Sequence, residues 1–170
     1  MKLVALNAAD PATAATALER CCGARAWVEA MLAARPFTDA AALHAAADAR
    51  AAGLGEPDWL EAFAHHPRIG DVSALRAKFA TTASWAGGEQ AGAAAADEAT
   101  LQALARGNDE YFEKFGFIFI VCATGLGAGE MLARLAARLP NDRATELRNA
   151  AAEQLKITHL RLDKLLSEDA

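Results

Sequence analysis

Residues 63–71 read Phe-Ala-His-His-Pro-Arg-Ile-Gly-Asp, and this stretch ends a helical pattern abruptly. Because His66 precedes a proline, its backbone is disfavoured in the α region, so a helix should end here. The stretch therefore predicts a corner between two helices that carries an imidazole ring. A titratable ring on a rigid corner suits proton transfer near neutral pH better than it suits packing, which makes this corner a candidate catalytic site.

The composition predicts a single all-α domain over residues 1–170, a bundle of about eight helices with no substantial sheet. Alanine, the strongest helix former, supplies 46 of the 170 residues. Caps, prolines and glycines place helices over residues 11–22, 24–34, 39–52, 58–65, 74–80 and 130–139, with a last helix that reaches Leu166. Residues 91–114 are predicted to form one long helix or two abutting ones. Ser73 is the predicted cap of the helix at 74–80, and residues 81–84 are predicted to form a loop.

The segment at 115–122 has the aromatic and β-branched residues of a strand, but the chain offers no second strand to pair with it. We expect an extended buried segment or the start of a helix. The predicted core consists of Phe63, Ile69, Phe79, Leu101, Leu104, Phe112, Phe117, Phe119, Leu132, Leu135, Leu147 and Leu155. On the last helix, an apolar stripe is expected at Leu147, Leu155, Leu160, Leu162 and Leu166.

Charge and hydropathy exclude two classes of partner. The net charge is −5, and no cluster of Lys and Arg suggests a surface that follows phosphates, so nucleic acid is not an expected partner. The longest apolar stretch, residues 115–123, is too short to span a bilayer, and no membrane association is expected. The three cysteines show no CxxC spacing and the amino terminus no export signal, which favours reduced thiols and a cytoplasmic location.

Four motifs resemble the OHCU decarboxylase family, in the order in which that family carries them; OHCU is 2-oxo-4-hydroxy-4-carboxy-5-ureidoimidazoline. They are His-Pro-Arg-Ile-Gly at 66–70, Trp-Ala-Gly-Gly-Glu-Gln at 85–90, Phe-Gly-Phe-Ile-Phe-Ile at 115–120 and Lys-Ile-Thr-His-Leu-Arg-Leu at 156–162. The likeness extends to the Leu-Asn near the amino terminus, the Cys-Cys pair and the Arg-Pro-Phe break at 35–37. Each motif alone is weak, but four in register are specific.

The resemblance implies decarboxylation of OHCU to (S)-allantoin in urate degradation, by an all-helical homodimer that needs no cofactor and no metal. By motif match, His66 and Glu89 take the places of the family's catalytic residues, and Arg161 that of its substrate-binding arginine. The resemblance further implies substrate contacts from Pro67, Gln90 and the segment that contains Phe117, Phe119 and Ile120.

One position departs from the family pattern. Many members carry serine three residues before the glutamate, where this chain has Ala86. Either one polar substrate contact is lost or Ser84 supplies it. Trp85 fits two roles equally well, a wall of the substrate pocket or ordinary core packing.

Two other functions compete with this interpretation. His65, His66 and Asp71 lie close in sequence, as in a metal hydrolase, but adjacent histidines point in different directions and no HxxxH or HxH spacing occurs. An alanine-rich bundle also suits a non-catalytic module that binds a ureido compound or a protein partner. Against that module, the chain breaks its helices beside His66 and Glu89, which a plain bundle does not need.

Overall fold

A computed structural model describes residues 1–68, 71–83 and 91–167, and all regular structure in these ranges is helical. Nine helices, α1 to α9, occupy Leu3–Ala8, Pro11–Glu19, Arg25–Ala33, Ala40–Ala51, Glu56–Ala64, Val72–Ala83, Ala91–Phe115, Ala128–Arg138 and Arg143–Ser167. The all-α prediction is confirmed for the described part of the chain. No helix found there is both long enough and apolar enough to cross a membrane.

The start of α2 has a side-chain cap. Asp10 caps α2, because its side chain accepts hydrogen bonds from the backbone N–H groups of Ala12 and Thr13, each at 3.0 Å. α2 ends at Glu19, earlier than the predicted end at Cys22. The reason is a tightened last turn, in which the N–H of Cys21 bonds to the carbonyl of Leu18 at 2.8 Å.

α1 was not predicted, and contacts distant in sequence hold it. The Asn7 side chain exchanges two hydrogen bonds with the backbone of Phe37, at 2.8 and 2.9 Å. Arg35 donates to the carbonyls of Leu6 and Ala9, at 2.8 and 2.9 Å, and so satisfies the end of this short helix. The Leu-Asn pair near the amino terminus and the Arg-Pro-Phe break at 35–37 are thus hydrogen-bonded to each other.

The prediction for α6 was wrong at both ends. The helix begins at Val72 rather than Ala74 and continues to Ala83 through the predicted loop. Asp71, not Ser73, provides the cap, since its side chain accepts from the backbone N–H of Ala74 at 2.6 Å.

By their internal contacts the residues form two compact units. The first unit comprises Met1–His66 and Leu147–Ala170, and the second comprises Pro67–Glu146. In the first unit α3 packs against α2, α4 and α5. Its largest buried side chain is Trp27, whose indole N–H donates to the carbonyl of Ala47 at 3.2 Å.

The second unit contains α6, α7 and α8, and α7 packs against both of its neighbours. The approach of α7 to α8 requires Gly107, because a Cβ there would lie 2.6 Å from Cδ2 of Leu135. α7 ends at Phe115, and the next residue, Gly116, has a φ of 79°, a left-handed conformation that glycine adopts at no steric cost. The following segment forms neither helix nor strand in the described residues, so the prediction that it joins no sheet is confirmed.

The core prediction was right for Phe63, Leu101, Leu104, Phe117 and Leu135, which are all buried. The other described candidates, namely Phe79, Phe112, Phe119, Leu132, Leu147 and Leu155, are only partly buried, and Ile69 lies outside the described residues. The stripe on α9 was right at Leu162, which is buried, and wrong at Leu160, which is 41% exposed. Leu147, Leu155 and Leu166 are partly buried. The buried line in the first unit is Ala150, Gln154, Thr158, Leu162 and Leu165.

Candidate active site

The helix before His66 ends where the sequence predicts a break. α5 ends at Ala64, and the backbone N–H of His66 still bonds to the carbonyl of Phe63 at 3.1 Å. The two histidine rings have different surroundings. The His65 ring packs on Gly23, where a Cβ would lie 2.2 Å from its Cγ, so no larger residue fits opposite this ring.

His66 is partly buried and hydrogen-bonded on one side. Its Nε2 lies 2.5 Å from Oε1 of Gln154, a fully buried residue of α9. Burial lowers the pKa of the imidazole below its usual 6.5; the bond to Gln154 opposes this shift, and the charges of Arg161 and His65 add to it. At neutral pH the His66 ring is therefore uncharged and able to accept a proton.

Gln154 is itself held by Thr158, one turn further along α9. The amide Nε2 donates to Oγ1 of Thr158 at 3.3 Å, and that hydroxyl donates to the backbone carbonyl of Gln154 at 2.9 Å. Both side chains are buried, at 0% and 1% exposure. Neither residue was predicted from the sequence. They continue the spacing from Ala150 to Leu162, and this line of positions four residues apart is the signal that could have found them.

Arg161 belongs to the first unit with His66, and its charge is close enough to depress the histidine's pKa. Its Nη1 donates to the backbone carbonyl of Arg20 at 3.3 Å. It lines a cavity of about 420 Å³, together with Arg20, Lys164, Glu19 and His65 among others. Three of the charged residues on this wall are cations and one is an anion, so the cavity favours an anionic ligand.

Cys22 belongs to the same unit as His66, and its thiol is not suited to act as a nucleophile. Its side chain is buried, and burial raises the pKa of the thiol above its usual value. The thiol is thus neutral at physiological pH, and only the thiolate is an effective nucleophile. Within the described residues, none of the three cysteines forms a disulfide.

The segment with the predicted substrate contacts belongs to the second unit. Phe117 and Ile120 are buried and Phe119 partly buried. The carbonyl of Ile120 accepts a hydrogen bond from Nη1 of Arg138 at 2.6 Å, and the guanidinium of Arg138 lies 4.6 Å from the centre of the Phe119 ring. The carbonyl of Ile120 and the ring of Phe119 are therefore already in contact with Arg138.

The other residues of the predicted site are exposed, lie outside the described residues or have a structural role. Pro67 is exposed. Ser84, Glu89 and Gln90 lie outside the described residues, as do Trp85 and Ala86. Asp71, which the alternative function as a metal hydrolase would use as a ligand, lies in the second unit and caps α6. Across the described ranges, no group of three or more His, Cys, Asp or Glu side chains is arranged to hold a metal ion.

Comparison with known proteins gives one family. The family model described as OHCU decarboxylase matches residues 7–163. The chain is 41% identical over 153 residues to the uric acid degradation bifunctional protein TTL of Arabidopsis thaliana, across 88% of this chain and 46% of that protein. It is 40% identical over 77 residues to the 2-oxo-4-hydroxy-4-carboxy-5-ureidoimidazoline decarboxylase of Amia calva, across 45% of this chain and 44% of that one. The chain spans less than half the length of these two curated relatives.

Two solved structures are similar as well. A crystal structure of OHCU decarboxylase in the presence of (S)-allantoin is 36% identical, with a TM-score of 0.70 over 88% of this chain and 96% of that chain. An (S)-allantoin synthase crystal structure is 20% identical, with a TM-score of 0.69 over 98% of this chain and 54% of that chain. At that identity the second likeness concerns the fold alone.

Proposed function

The chain belongs to the OHCU decarboxylase family, and we propose that it converts OHCU to (S)-allantoin and CO₂ in urate degradation, without a cofactor. His66 and Glu89 are the proposed catalytic residues. Arg161 is proposed to bind the substrate's carboxylate, with further contacts from Pro67, Gln90, Ser84 and the segment from Phe117 to Ile120.

The observation that carries the proposal is the state of His66. Its imidazole stands at a chain corner, is uncharged at neutral pH because burial lowers its pKa, and is anchored through one nitrogen only. A neutral imidazole of this kind serves as a general base and then, once protonated, as a general acid.

The chemistry of the substrate explains why these groups suffice. The carboxylate leaves from a carbon next to a C=N bond of the ring, so the electron pair of the broken C–C bond moves toward the ring nitrogen, which takes a proton. The resulting enol loses its hydroxyl proton and gains one at the neighbouring carbon. The substrate anion and one proton therefore give allantoin and CO₂, and no external electron sink is required.

In this scheme the protein positions the substrate and moves the protons. His66 and Glu89 take up the proton of the 4-hydroxyl and deliver a proton to one face of the enol. Delivery from one side gives a single enantiomer. The cationic cavity at Arg161 supports an anionic substrate, because its charge complements the carboxylate before the bond breaks.

The test generates OHCU in situ from urate with urate oxidase and hydroxyisourate hydrolase and follows circular dichroism. Spontaneous decay yields a racemate, so only the catalysed reaction gives the signal of the (S) product. We expect a rapid signal from this protein and none above background from His66→Ala. His159→Gln is the matched control, since His159 is partly buried in the same unit and bonds to Asp48 instead, at 2.6 Å. A flat trace from folded protein would overturn the proposal and favour a module that binds a ureido compound or a protein partner.

We also propose that residues 1–170 act as one OHCU decarboxylase-like domain, that the chain forms a homodimer, and that it works in the cytoplasm. The family resemblance supports the first two, and the three free thiols support a reducing compartment. Light scattering coupled to size-exclusion chromatography tests the dimer: a mass near 35 kDa, twice the 17.8 kDa of the chain, is expected.

A further inference from the structure

We propose that Gln154 is a positioning residue that fixes which nitrogen of His66 carries the proton, so that Nδ1 is the nitrogen that exchanges protons with substrate. The catalytic half of this inference rests on the proposed function, while the structural half does not. It begins from the 2.5 Å contact between Nε2 of His66 and Oε1 of Gln154.

The first step concerns the orientation of the Gln154 amide, which Thr158 determines. A threonine hydroxyl has one proton to donate. That proton goes to the backbone carbonyl of Gln154 at 2.9 Å, so Oγ1 can only accept from the side chain of Gln154. The NH₂ group must therefore face Thr158, at 3.3 Å, and the amide oxygen must face His66.

The second step concerns the histidine. An amide oxygen cannot donate, so Nε2 of His66 must carry a hydrogen in order to bond to it. A neutral imidazole has only one N–H, and its lone pair is consequently at Nδ1. In the part of the chain that the structure describes, Nδ1 has no hydrogen-bond partner. This nitrogen is the one left to take a proton from substrate.

The third step concerns the free-energy cost of turning the Gln154 amide the other way. Gln154 and Thr158 are almost completely buried, at 0% and 1% exposure. The opposite amide orientation would leave buried polar groups without partners, which is unfavourable in a site that water does not reach. The Nε2–H bond also persists when Nδ1 is protonated. The ring can therefore pass from base to acid without rotating.

The final step concerns the choice of a neutral partner. A carboxylate opposite Nε2 would stabilise the imidazolium and raise the histidine's pKa, whereas an amide does so only weakly. Because burial outweighs the amide's effect, His66 stays uncharged at neutral pH. Gln154 thus fixes the orientation and the tautomer of the His66 ring, and the ring stays neutral.

The structural half is tested by two-bond ¹H–¹⁵N NMR of the histidine rings in protein without substrate, with His66 assigned by its absence in His66→Ala. We expect the Nε2–H tautomer in the native protein. Gln154→Met should give a mixture of tautomers, and Thr158→Val a smaller shift in the same direction. Gln102→Met is the matched control, because Gln102 is an exposed glutamine of α7 and should change nothing. A predominant Nδ1–H tautomer in the native protein would overturn the proposal.

The catalytic half is tested by the pH profile of kcat. Gln154→Met should lower kcat roughly 10- to 100-fold, with little change in KM, and should move the acidic limb to lower pH. Gln154→Glu retains an acceptor, so it should keep the tautomer and move the acidic limb up by about one unit or more. A purely structural residue would lower the yield of folded protein and leave the limb in place, and that result would overturn the catalytic role.

The two proposals fail differently. A native protein that shows the Nε2–H tautomer but no turnover would contradict decarboxylation and leave the positioning of His66 by Gln154 intact. Turnover with an acidic limb that ignores both Gln154 variants would contradict the positioning role alone.

Discussion

Two buried polar clusters differ in how completely their groups are paired. In the second unit Glu146, 0% exposed, accepts hydrogen bonds from Tyr111 at 2.5 Å, Arg138 at 2.7 Å and Asn141 at 2.8 Å. Burial raises the pKa of the Tyr111 phenol far above its usual value, so its hydroxyl remains a donor. In the first unit, His66 is bonded at one ring nitrogen and uncharged at neutral pH.

The difference separates a structural cluster from a reactive one. Both oxygens of Glu146 are bound, so neither ionisation nor movement of this group is easy. Arg138 connects the cluster to the carbonyl of Ile120, which holds the segment after α7 in place. His66 can gain a proton at Nδ1 without breaking a bond it already makes. Disruption of the first cluster should cost stability, and disruption of the second should cost activity.

The largest expected effect is on stability. Glu146→Ala leaves Arg138, whose side chain is 13% exposed, without its carboxylate, and removal of one partner of a buried pair costs about 3–5 kcal/mol. Urea denaturation measures the free energy of unfolding. Lys156→Ala is the control, because the Lys156 side chain is 61% exposed and loss of its pair with Glu153, three residues earlier on the helix, should change stability by less than about 0.5 kcal/mol. Equal effects of the two variants would show that the Glu146 cluster is not structural.

The next effect concerns Arg161, on the reactive side. Arg161→Lys keeps the positive charge but loses the planar fork that binds a carboxylate through two hydrogen bonds. We expect kcat/KM to fall roughly 10- to 100-fold, mostly through KM, with an unchanged free energy of unfolding. Arg148→Lys is the matched control, since Arg148 is exposed on the same helix. An unchanged KM in Arg161→Lys would remove this arginine from the substrate site.

The pH dependence of both stability and activity should follow from the protonation of His66. Its folded-state pKa is lower than its unfolded value of 6.5, so the unfolded chain binds more protons as the pH falls. Stability from this group is therefore complete above pH 6.5 and decreases below it, by at most about 1.4 kcal/mol per pH unit. Activity should decrease with an apparent pKa below 6.5, because only the neutral ring accepts a proton. Denaturation curves and kcat/KM between pH 5 and 8 test this. An acidic limb above 6.5 would contradict it.

Local sequence signals predicted the helical fold and the corner at His66, because caps, prolines and glycines act over one or two turns. They failed where contacts between residues distant in sequence determine whether a helix forms or what a side chain does. α1 is held by Asn7 and Arg35 through residues that lie about 30 positions apart. The role of Gln154 depends on His66, 88 residues away, and no periodicity of leucines could show it.

The candidate site was predictable only in part, and for the same reason. His66 stood out because proline follows it, and Arg161 only through its motif. The buried line on α9 mixes Ala, Gln, Thr and Leu, so a pattern of leucines predicted Leu162 correctly but also included the exposed Leu160. Polar residues enter a buried stripe when they bond to each other or to a distant partner, and the sequence does not show that partner.

The smallest expected effect concerns the cap of α6, where two nearby residues competed in the sequence. Asp71 accepts the hydrogen bond from Ala74 that Ser73 was predicted to accept. Asp71→Ala should therefore cost about 1 kcal/mol of unfolding free energy, as loss of a helix cap typically does, while Ser73→Ala should cost far less. Because the cap concerns the start of α6 and not the bond between Nε2 of His66 and Gln154, neither variant should move the acidic limb of kcat that His66 sets. Urea denaturation and the pH profile are measured on the same samples. A greater loss of stability in Ser73→Ala would contradict the cap, and a displaced limb in Asp71→Ala would contradict a purely structural role for Asp71.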